Sequence, residues 1–448
     1  MAEYEVIIIG GGTSGLKAAI ISANTGYNTL LIEPNDLGGT CLNTGCIPTK
    51  TLLHAAEVYN LIKESGELGI KAKPKFDYDK VVGRAKSIVK RGRKGAENSV
   101  EKNQNLTLLK GHARFKDKRT VRVGEEEFSA NKMLIATGTR NWVPEITGLK
   151  ETGYYDHTNI LDAKQPKSII LIGGGYISCE FACFFASFGI PVMILEKKER
   201  ILPYLEKEVT DVAHAALEEL GVKIFTNVDI KEVNGKNGKR VEVVADRTYE
   251  AQCLLVSTGR RANTDDMKLD KADVKTDEHG FIKVNAHMQT SNDNIYAVGD
   301  VNGTSLFAHT AKKEAKVALE NALLKGKAKI NHNLIPWAVF TFPSIAGVGL
   351  TEEEAKKKHK KVGIMKADFA KLGKAKILRQ ETGFVKVVFD QQSREILGAA
   401  IIGPDAHNLI HEFAALLNMP QHKIDDFLET VHTHPTLSEI MDSLREVD

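Results

Sequence analysis

Two cysteines five residues apart, Cys41 and Cys46, lie in the segment Leu37-Gly-Gly-Thr-Cys-Leu-Asn-Thr-Gly-Cys-Ile-Pro-Thr-Lys50. Three kinds of chemistry are open to such a pair: a metal site, two unrelated buried thiols, or a disulfide. A zinc site wants further Cys or His ligands at short spacing, and none stands nearby, so no metal is expected. In an undistorted helix, residues five apart lie roughly 8 to 9 Å from Cα to Cα, given a rise of ~1.5 Å and ~100° per residue. That exceeds the ~7 Å a disulfide spans. A bridge therefore requires bent or unwound chain, which Gly45 and Pro48 permit. Strain of this kind makes the bond easier to reduce, which suits a catalytic disulfide better than a structural one.

The second chemistry-bearing feature is an internal echo. Val6-Ile-Ile-Ile-Gly-Gly-Gly-Thr-Ser-Gly15 recurs in outline as Ile169-Ile-Leu-Ile-Gly-Gly-Gly-Tyr-Ile-Ser178. Each is an apolar strand entering a glycine turn, followed by an apolar stripe at helical spacing: Leu16, Ala19, Ile20 and Ala23, then Ile177, Phe181, Phe184, Phe185 and Phe188. Each returns through a second strand, Thr29 to Ile32 or Val192 to Leu195, to an acid. Glu33 and Glu196 both lie 23 residues after the first glycine of their copy. This is the layout of a dinucleotide-binding unit, in which glycines admit a pyrophosphate, the helix N-terminus meets its charge, and the acid accepts from a ribose hydroxyl. Ser178 replaces the last glycine in the second copy, so helix and strand should sit slightly farther apart there.

Two further apolar strands, Lys132 to Gly138 and Cys253 to Gly259, close on Ala-Thr-Gly138 and Ser-Thr-Gly259 and read as chain crossings between domains. From about Asn331 the pattern changes to shorter strands such as Phe384 to Phe389, alternating with helical stretches such as His407 to Leu417, which predicts a separate α+β domain.

Length and composition bound these readings. The chain of 448 residues is long enough for several domains. Its 61 basic and 58 acidic residues leave no overall field for nucleic acid. Basic runs at Lys356 to Lys361 and Arg84 to Lys94 are expected to be solvated helix faces. No run is long enough to span a bilayer, and the five sparse cysteines do not form a secreted disulfide framework, so a soluble cytoplasmic protein is expected. Cys179 and Cys183, one helical turn apart, read as buried free thiols rather than a second redox pair.

The chain resembles the pyridine nucleotide-disulfide oxidoreductase family (class I), and within it the dihydrolipoamide dehydrogenase branch. The resemblance spans essentially the whole chain and is carried by Gly38 to Lys50, Ile295-Tyr-Ala-Val-Gly-Asp300, Ala308-His309 and His432-Thr-His-Pro-Thr-Leu-Ser-Glu439. It implies an α/β fold of two Rossmann-like domains, for FAD and NAD, with a C-terminal α+β dimerisation domain. The implied division is 1–143 and 265–330 for FAD, 144–264 for NAD and 331–448 for the interface.

By the same resemblance, Gly10, Gly12, Gly15, Glu33, Gly39, Thr40, Ala136, Thr137, Gly138, Asp300, Ala308 and His309 belong to the FAD site. Gly173, Gly175, Tyr176, Glu196 and Gly259 belong to the NAD site. Asp300 would accept from the ribityl chain, and the helix near Ala308 would point its N-terminus at the flavin. Cys46 would be the flavin-side thiol and Cys41 the interchange thiol, with Lys50 and Glu180 paired to modulate the flavin. Glu196 favours NAD over NADP, though Lys197 and Lys198 follow it. Tyr176 resembles the gating tyrosine of glutathione reductases.

His434 and Glu439 are the implied acid-base pair, His434 taking the proton of a substrate dithiol and Glu439 orienting the ring. Thr436-Leu-Ser-Glu439 also reads as a helix capping box, and both roles can hold. His432 reads as a pocket wall. About 390 residues separate this pair from Cys41, and the family bridges that gap by building each site from two subunits. An obligate homodimer follows.

The implied substrate is dihydrolipoamide on a separate lipoyl-bearing carrier protein, or a small dithiol or disulfide. Alternatives are a glutathione reductase-like disulfide reductase, a mercuric reductase-like enzyme, and a docking subunit of a 2-oxoacid dehydrogenase or glycine cleavage complex. Thr49, Phe342-Pro-Ser344 and Asn408 depart from the dihydrolipoamide dehydrogenase pattern.

Overall fold

Residues 2–324 and 326–447 are described by the computed structural model. The most apolar runs form the central parallel strands, because a strand covered on both faces has no solvent side to leave polar. Val6–Ile9 and Ile169–Ile172 are 0–3% exposed. The first sheet runs Leu106–Leu109, Thr29–Ile32, Ala2–Ile9 and Glu126–Ile135, all parallel, and Ile295–Ala297 also pairs with Glu126–Ile135. Thr120–Val123 and Ala113–Phe115 extend it antiparallel. The second sheet repeats the plan in four parallel strands, Lys223–Phe225, Val192–Leu195, Ile169–Ile172 and Cys253–Val256.

After Gly138 and Gly259 the chain crosses between the two units on paired segments, Thr139–Asn141 lying antiparallel to Arg260–Ala262. The carboxyl-terminal part is a six-stranded antiparallel sheet covered by the helix Ala406–Leu417. Its strands Val362–Asp368, Phe384–Asp390 and Ile396–Gly403 span seven or eight residues. They are longer than the four-residue parallel strands Thr29–Ile32, Ile169–Ile172 and Val192–Leu195, whereas Trp337–Val339 and Arg445–Val447 of the same sheet are three residues each.

Lys386 joins this sheet to the second unit. It is 2% exposed, and its ammonium lies 2.9 Å from Glu206 and 2.6 Å from Glu352, with Glu208 also bonded. Against the pull of burial, the three carboxylates raise its pKa, so the cation among them is the lysine itself.

Two local expectations change. The basic run from Lys356 leaves its helix at Lys358, where Glu352–Lys358 ends; Lys356 and Lys357 pair with Glu352 and Glu353 one turn back, and Lys360 and Lys361 lie in the turn beyond. The helix Thr13–Asn24 buries Ser14, Gly15, Ala18, Ala19, Ser22 and Ala23 rather than Leu16 and Ile20, since close packing selects the small side chains. Among the described residues, no helix is long and apolar enough to cross a membrane.

Candidate active site

The cysteine pair sits where the helix breaks. Gly39–Asn43 and Cys46–Glu64 are separate helices, and the link bends at Gly45, with φ −116° and ψ −112°. A Cβ there would lie 2.9 Å from the Thr40 carbonyl oxygen, which explains the glycine. Pro48 does not take part in the bend. It occupies the first turn of the second helix, where its missing N–H would have had no intrahelical partner.

The Cys41 and Cys46 side chains meet across this break, within hydrogen-bonding reach of each other. That bond from Cys46, with help from Thr13, Lys312 and Lys50, lowers the Cys41 pKa to about 7 despite burial. The same bond and burial push Cys46 upward. The lowered pKa favours the thiolate of Cys41, the form that reacts.

Both thiols line a cavity of about 540 Å³. It gathers Gly12, Glu33, Gly39, Thr40, Lys50, Ala136, Thr137, Gly138, Tyr176, Glu180, Asp300 and Ala308, from elements far apart in sequence. Gly10 and Gly15 stand behind it as packing contacts. Gly10 has φ +105°, and a Cβ on it would meet the Ala136 carbonyl oxygen at 2.4 Å. Gly173 and Gly175 form the second glycine turn, Glu196 follows the strand Val192–Leu195 and Gly259 the strand Cys253–Val256; none of the four lines this cavity. His309 is turned away, its Nε2 2.5 Å from the Pro336 carbonyl, so Ala308 and Ala311 rather than His309 line the wall.

The cavity suits a dinucleotide such as FAD. Gly39 has φ +57°, and a Cβ on it would come 2.7 Å from Gly12 Cα, so two bare backbones face each other without side chains between them. The helices Thr13–Asn24 and Ala308–Leu323 both start at the cavity without a capping side chain or an acid in the first turn. Their free N–H groups and dipoles favour a negative ligand. Glu33 is committed to the turn itself: Oε2 accepts from Gly11 N–H at 2.6 Å and Oε1 from Asn35 N–H at 2.8 Å.

Lys50 donates to both oxygens of Glu180 at 2.7 Å, and the Phe340 N–H bonds the same carboxylate at 3.0 Å. Burial raises the Asp300 pKa, against the pull of Arg260 and a 3.1 Å hydrogen bond from Thr139. Arg260 is held flat by Thr139, through Nε at 2.9 Å and Nη2 at 3.0 Å, and its Nη1 donates to His157 Nε2 at 2.9 Å. Burial and this guanidinium lower the His157 pKa to about 4, so its imidazole is neutral. Burial raises the Tyr176 phenol to about 12.

Sequence reasoning missed Arg260, His157, Thr139 and Arg93. Arg260 and Thr139 were within reach, since each follows the Thr-Gly that closes its crossing strand. Arg93 was read as solvated surface, yet it lines the cavity, 2.7 Å from Asp36 and 2.5 Å from Asn43. Cys179 and Cys183 are fully buried, and burial raises both thiols, Cys183 to about 12.

The carboxyl-terminal pair is formed but lies elsewhere. His434 Nδ1 is 2.7 Å from Glu439 Oε1, which holds the Glu439 pKa down, and neither residue lines the cavity of its own chain. The His434 side chain is 82% exposed. Half of the expected capping box exists: Glu439 Oε2 accepts from Thr436 N–H at 2.7 Å, whereas Thr436 Oγ1 donates to Thr433. The segment that follows is a 3₁₀ turn, Ser438–Ser443. His432 is clamped by Asp442 at 2.6 Å and Glu412 at 3.2 Å; against burial, they raise its pKa.

The sequence model of the pyridine nucleotide-disulphide oxidoreductases matches residues 4–315, and that of their dimerisation domain matches residues 335–445. The dihydrolipoyl dehydrogenase of Thermus scotoductus is 38% identical over 98% of this chain and 96% of its own. That of Geobacillus stearothermophilus is 36% identical over 99% and 96%. A solved structure, the Cu(II) complex of the HOCl-induced flavoprotein disulfide reductase RclA from Escherichia coli, superposes with a TM-score of 0.89 at 29% identity, over 99% of this chain and 98% of that one.

Proposed function

The chain belongs to the pyridine nucleotide-disulphide oxidoreductase family, FAD-dependent enzymes that move electrons between a nicotinamide nucleotide and a disulfide, and we propose that its own activity is the oxidation of dihydrolipoamide by NAD. Full-length likeness to dihydrolipoyl dehydrogenases supports the substrate. The observation that carries the chemistry is the dithiol Cys41–Cys46 on the wall of a dinucleotide cavity, with one thiol poised near neutrality.

In this reading 1–143 and 265–330 hold FAD, 144–264 hold the nicotinamide nucleotide, and 331–448 form the interface of a homodimer working in the cytosol, on lipoyl groups of a separate carrier. Gly12, Gly39, Thr40 and Asp300 would hold FAD, which when bound supplies the two-electron relay to the nicotinamide. Every other step belongs to side chains. Glu439 fixes His434 through Nδ1, so Nε2 is left to take the proton of a substrate thiol. The substrate thiolate attacks Cys41 of the oxidised pair, the Cys41–Cys46 bond breaks, and Cys46 departs as a thiolate. His434 returns that proton to the released cysteine sulfur and takes the proton of the second substrate thiol, whose thiolate displaces Cys41; the Cys41 thiolate then takes this second proton from His434. The substrate leaves as a disulfide and the pair remains as two thiols. His434 of one subunit serves Cys41 of the other, which accounts for its exposure on a single chain.

Co-expressing Cys41→Ser and His434→Gln chains tests both claims. Each homodimer should be inactive with dihydrolipoamide, while mixed dimers hold one intact site and recover part of the rate. Cys41→Ser flavin should still be reduced by NADH; dithiol-driven reduction in that variant would overturn the assignment.

A further inference from the structure

Arginine has five N–H donors and no acceptor, so a ring nitrogen that meets it must accept. His157 Nε2 lies 2.9 Å from Arg260 Nη1 and therefore carries the lone pair of its imidazole. The rest of the guanidinium is held from the other side. Nε and Nη2 donate to the hydroxyl and the carbonyl of Thr139 at 2.9 and 3.0 Å, and the Thr139 hydroxyl gives its own hydrogen to Asp300 at 3.1 Å. His157 is neutral beside this cation. A neutral imidazole whose Nε2 accepts carries its one hydrogen on Nδ1.

That Nδ1–H has no hydrogen-bond partner among the described residues, although His157 is only 6% exposed. A buried donor left without a partner is costly. The atom is not sealed in protein, since Arg200 Nε is the one enclosed side-chain nitrogen or oxygen without a partner among the described residues. It opens instead on the cavity, which His157 lines together with Thr139, Tyr176, Arg260 and Asp300. Burial acts most on the Tyr176 phenol, and after it the charges of Arg260, Asp300, Glu180 and Cys46, so this corner lies at the thiol end of the cavity. Electrons pass between sulfur and isoalloxazine, which makes the thiol end the flavin end.

We infer that His157 holds the flavin half of FAD: its Nδ1–H donates to an acceptor of the bound cofactor, and Arg260 fixes the tautomer that makes the donor available. In the division proposed above His157 stands within 144–264, so the nicotinamide unit itself grips the cofactor carried by 1–143 and 265–330. The inference rests on reading the cavity as the FAD site.

The full-length holoenzyme tests the contact through FAD release, read as the fluorescence of free FAD after dilution and independent of turnover. His157→Gln sets its side-chain oxygen where Nε2 accepts from Arg260 and removes the Nδ1–H. It should release FAD about two- to tenfold faster than the wild type, the range of one hydrogen bond, with an unchanged urea midpoint when FAD is in excess. His157→Asn brings an amide N–H to the Nδ1 place and should release FAD more slowly than His157→Gln. Release from His157→Gln at the wild-type rate, or faster release matched by a lower urea midpoint in excess FAD, would assign the ring to packing around Arg260 and overturn the contact. So would His157→Asn releasing FAD faster than His157→Gln. Failure of the underlying reading looks different: the wild-type protein would hold no FAD at all.

Discussion

A Cβ at Gly15 would lie 1.8 Å from the carbonyl oxygen of Gly10, whereas the matching place in the second turn carries Ser178, whose hydroxyl is 2.6 Å from that of Ser257. Ser257 in turn stands where the first unit has Ala136. One site closes its helix on its strand by removing a side chain; the other fills the gap with a buried pair of hydroxyls. The surroundings diverge in the same sense. The first unit is roofed by cysteine helices and by Tyr176, Ile177 and Glu180, lent by the helix of the second, while the second presents the exposed Lys198 and Tyr204. Equal scaffolds can thus serve a retained ligand and an exchanging one, because residues beyond the fingerprint decide access.

The largest contrast concerns thiols. With the pair reduced, Cys41 should be alkylated at pH 7 more than roughly a hundredfold faster than Cys179 or Cys183, because its thiolate fraction is near one half and theirs is negligible. The Cys41 rate should rise with pH through about 7. Peptide mapping after a timed iodoacetamide pulse reads this, and equal labelling of the helix cysteines would erase the distinction between the two regions.

Exchanging the closure residues comes next. Gly15→Ser should cost roughly 3 kcal/mol by overpacking and release flavin, whereas Ser178→Gly should cost about 1 kcal/mol for one lost hydrogen bond. Urea melts and the flavin-to-protein ratio give both numbers. Similar costs would mean that the two turns close alike.

Removing the lent cation sharpens the point at which the units meet. Glu180 is 4% exposed, so Lys50→Met strands a carboxylate, at a cost of about 2 kcal/mol once the 31% exposure of the lysine is allowed for. Lys50→Arg should recover most of it.

The smallest effect is a pH dependence. The folded pKa of His157 is lowered to about 4 from 6.5, so the unfolded chain binds the extra proton between those values, and stability falls as pH drops from about 6.5 to about 4. His157→Gln keeps an acceptor for Arg260 and should lessen that slope, by about 1–2 kcal/mol over the window. An unchanged slope in urea melts would remove His157 from the account.

What was legible in the sequence was short-ranged. The strands Val6–Ile9, Thr29–Ile32, Ile169–Ile172 and Val192–Leu195 stand where the apolar runs placed them. The glycines are required by backbone contacts that no side chain survives, and the break between Cys41 and Cys46 is what helix geometry demands of two cysteines that bridge. Pro48 and Arg93 misled for a common reason: the same residue bends a chain or starts a helix, faces solvent or a cavity, according to neighbours that local sequence does not name.

Residue types and spacing thus determined the two glycine turns and their acids, since each obeys a rule acting over a few residues of chain, whereas the spacing of Cys41 and Cys46 alone left their chemistry open. Only the tertiary structure brought Arg260 to His157 and Thr139, Glu180 to Lys50 and Lys386 to its carboxylates, because burial, charge and hydrogen bonding act between atoms near in space whatever their distance along the chain. It also turned His309 to Pro336 and placed Lys198 over Tyr204.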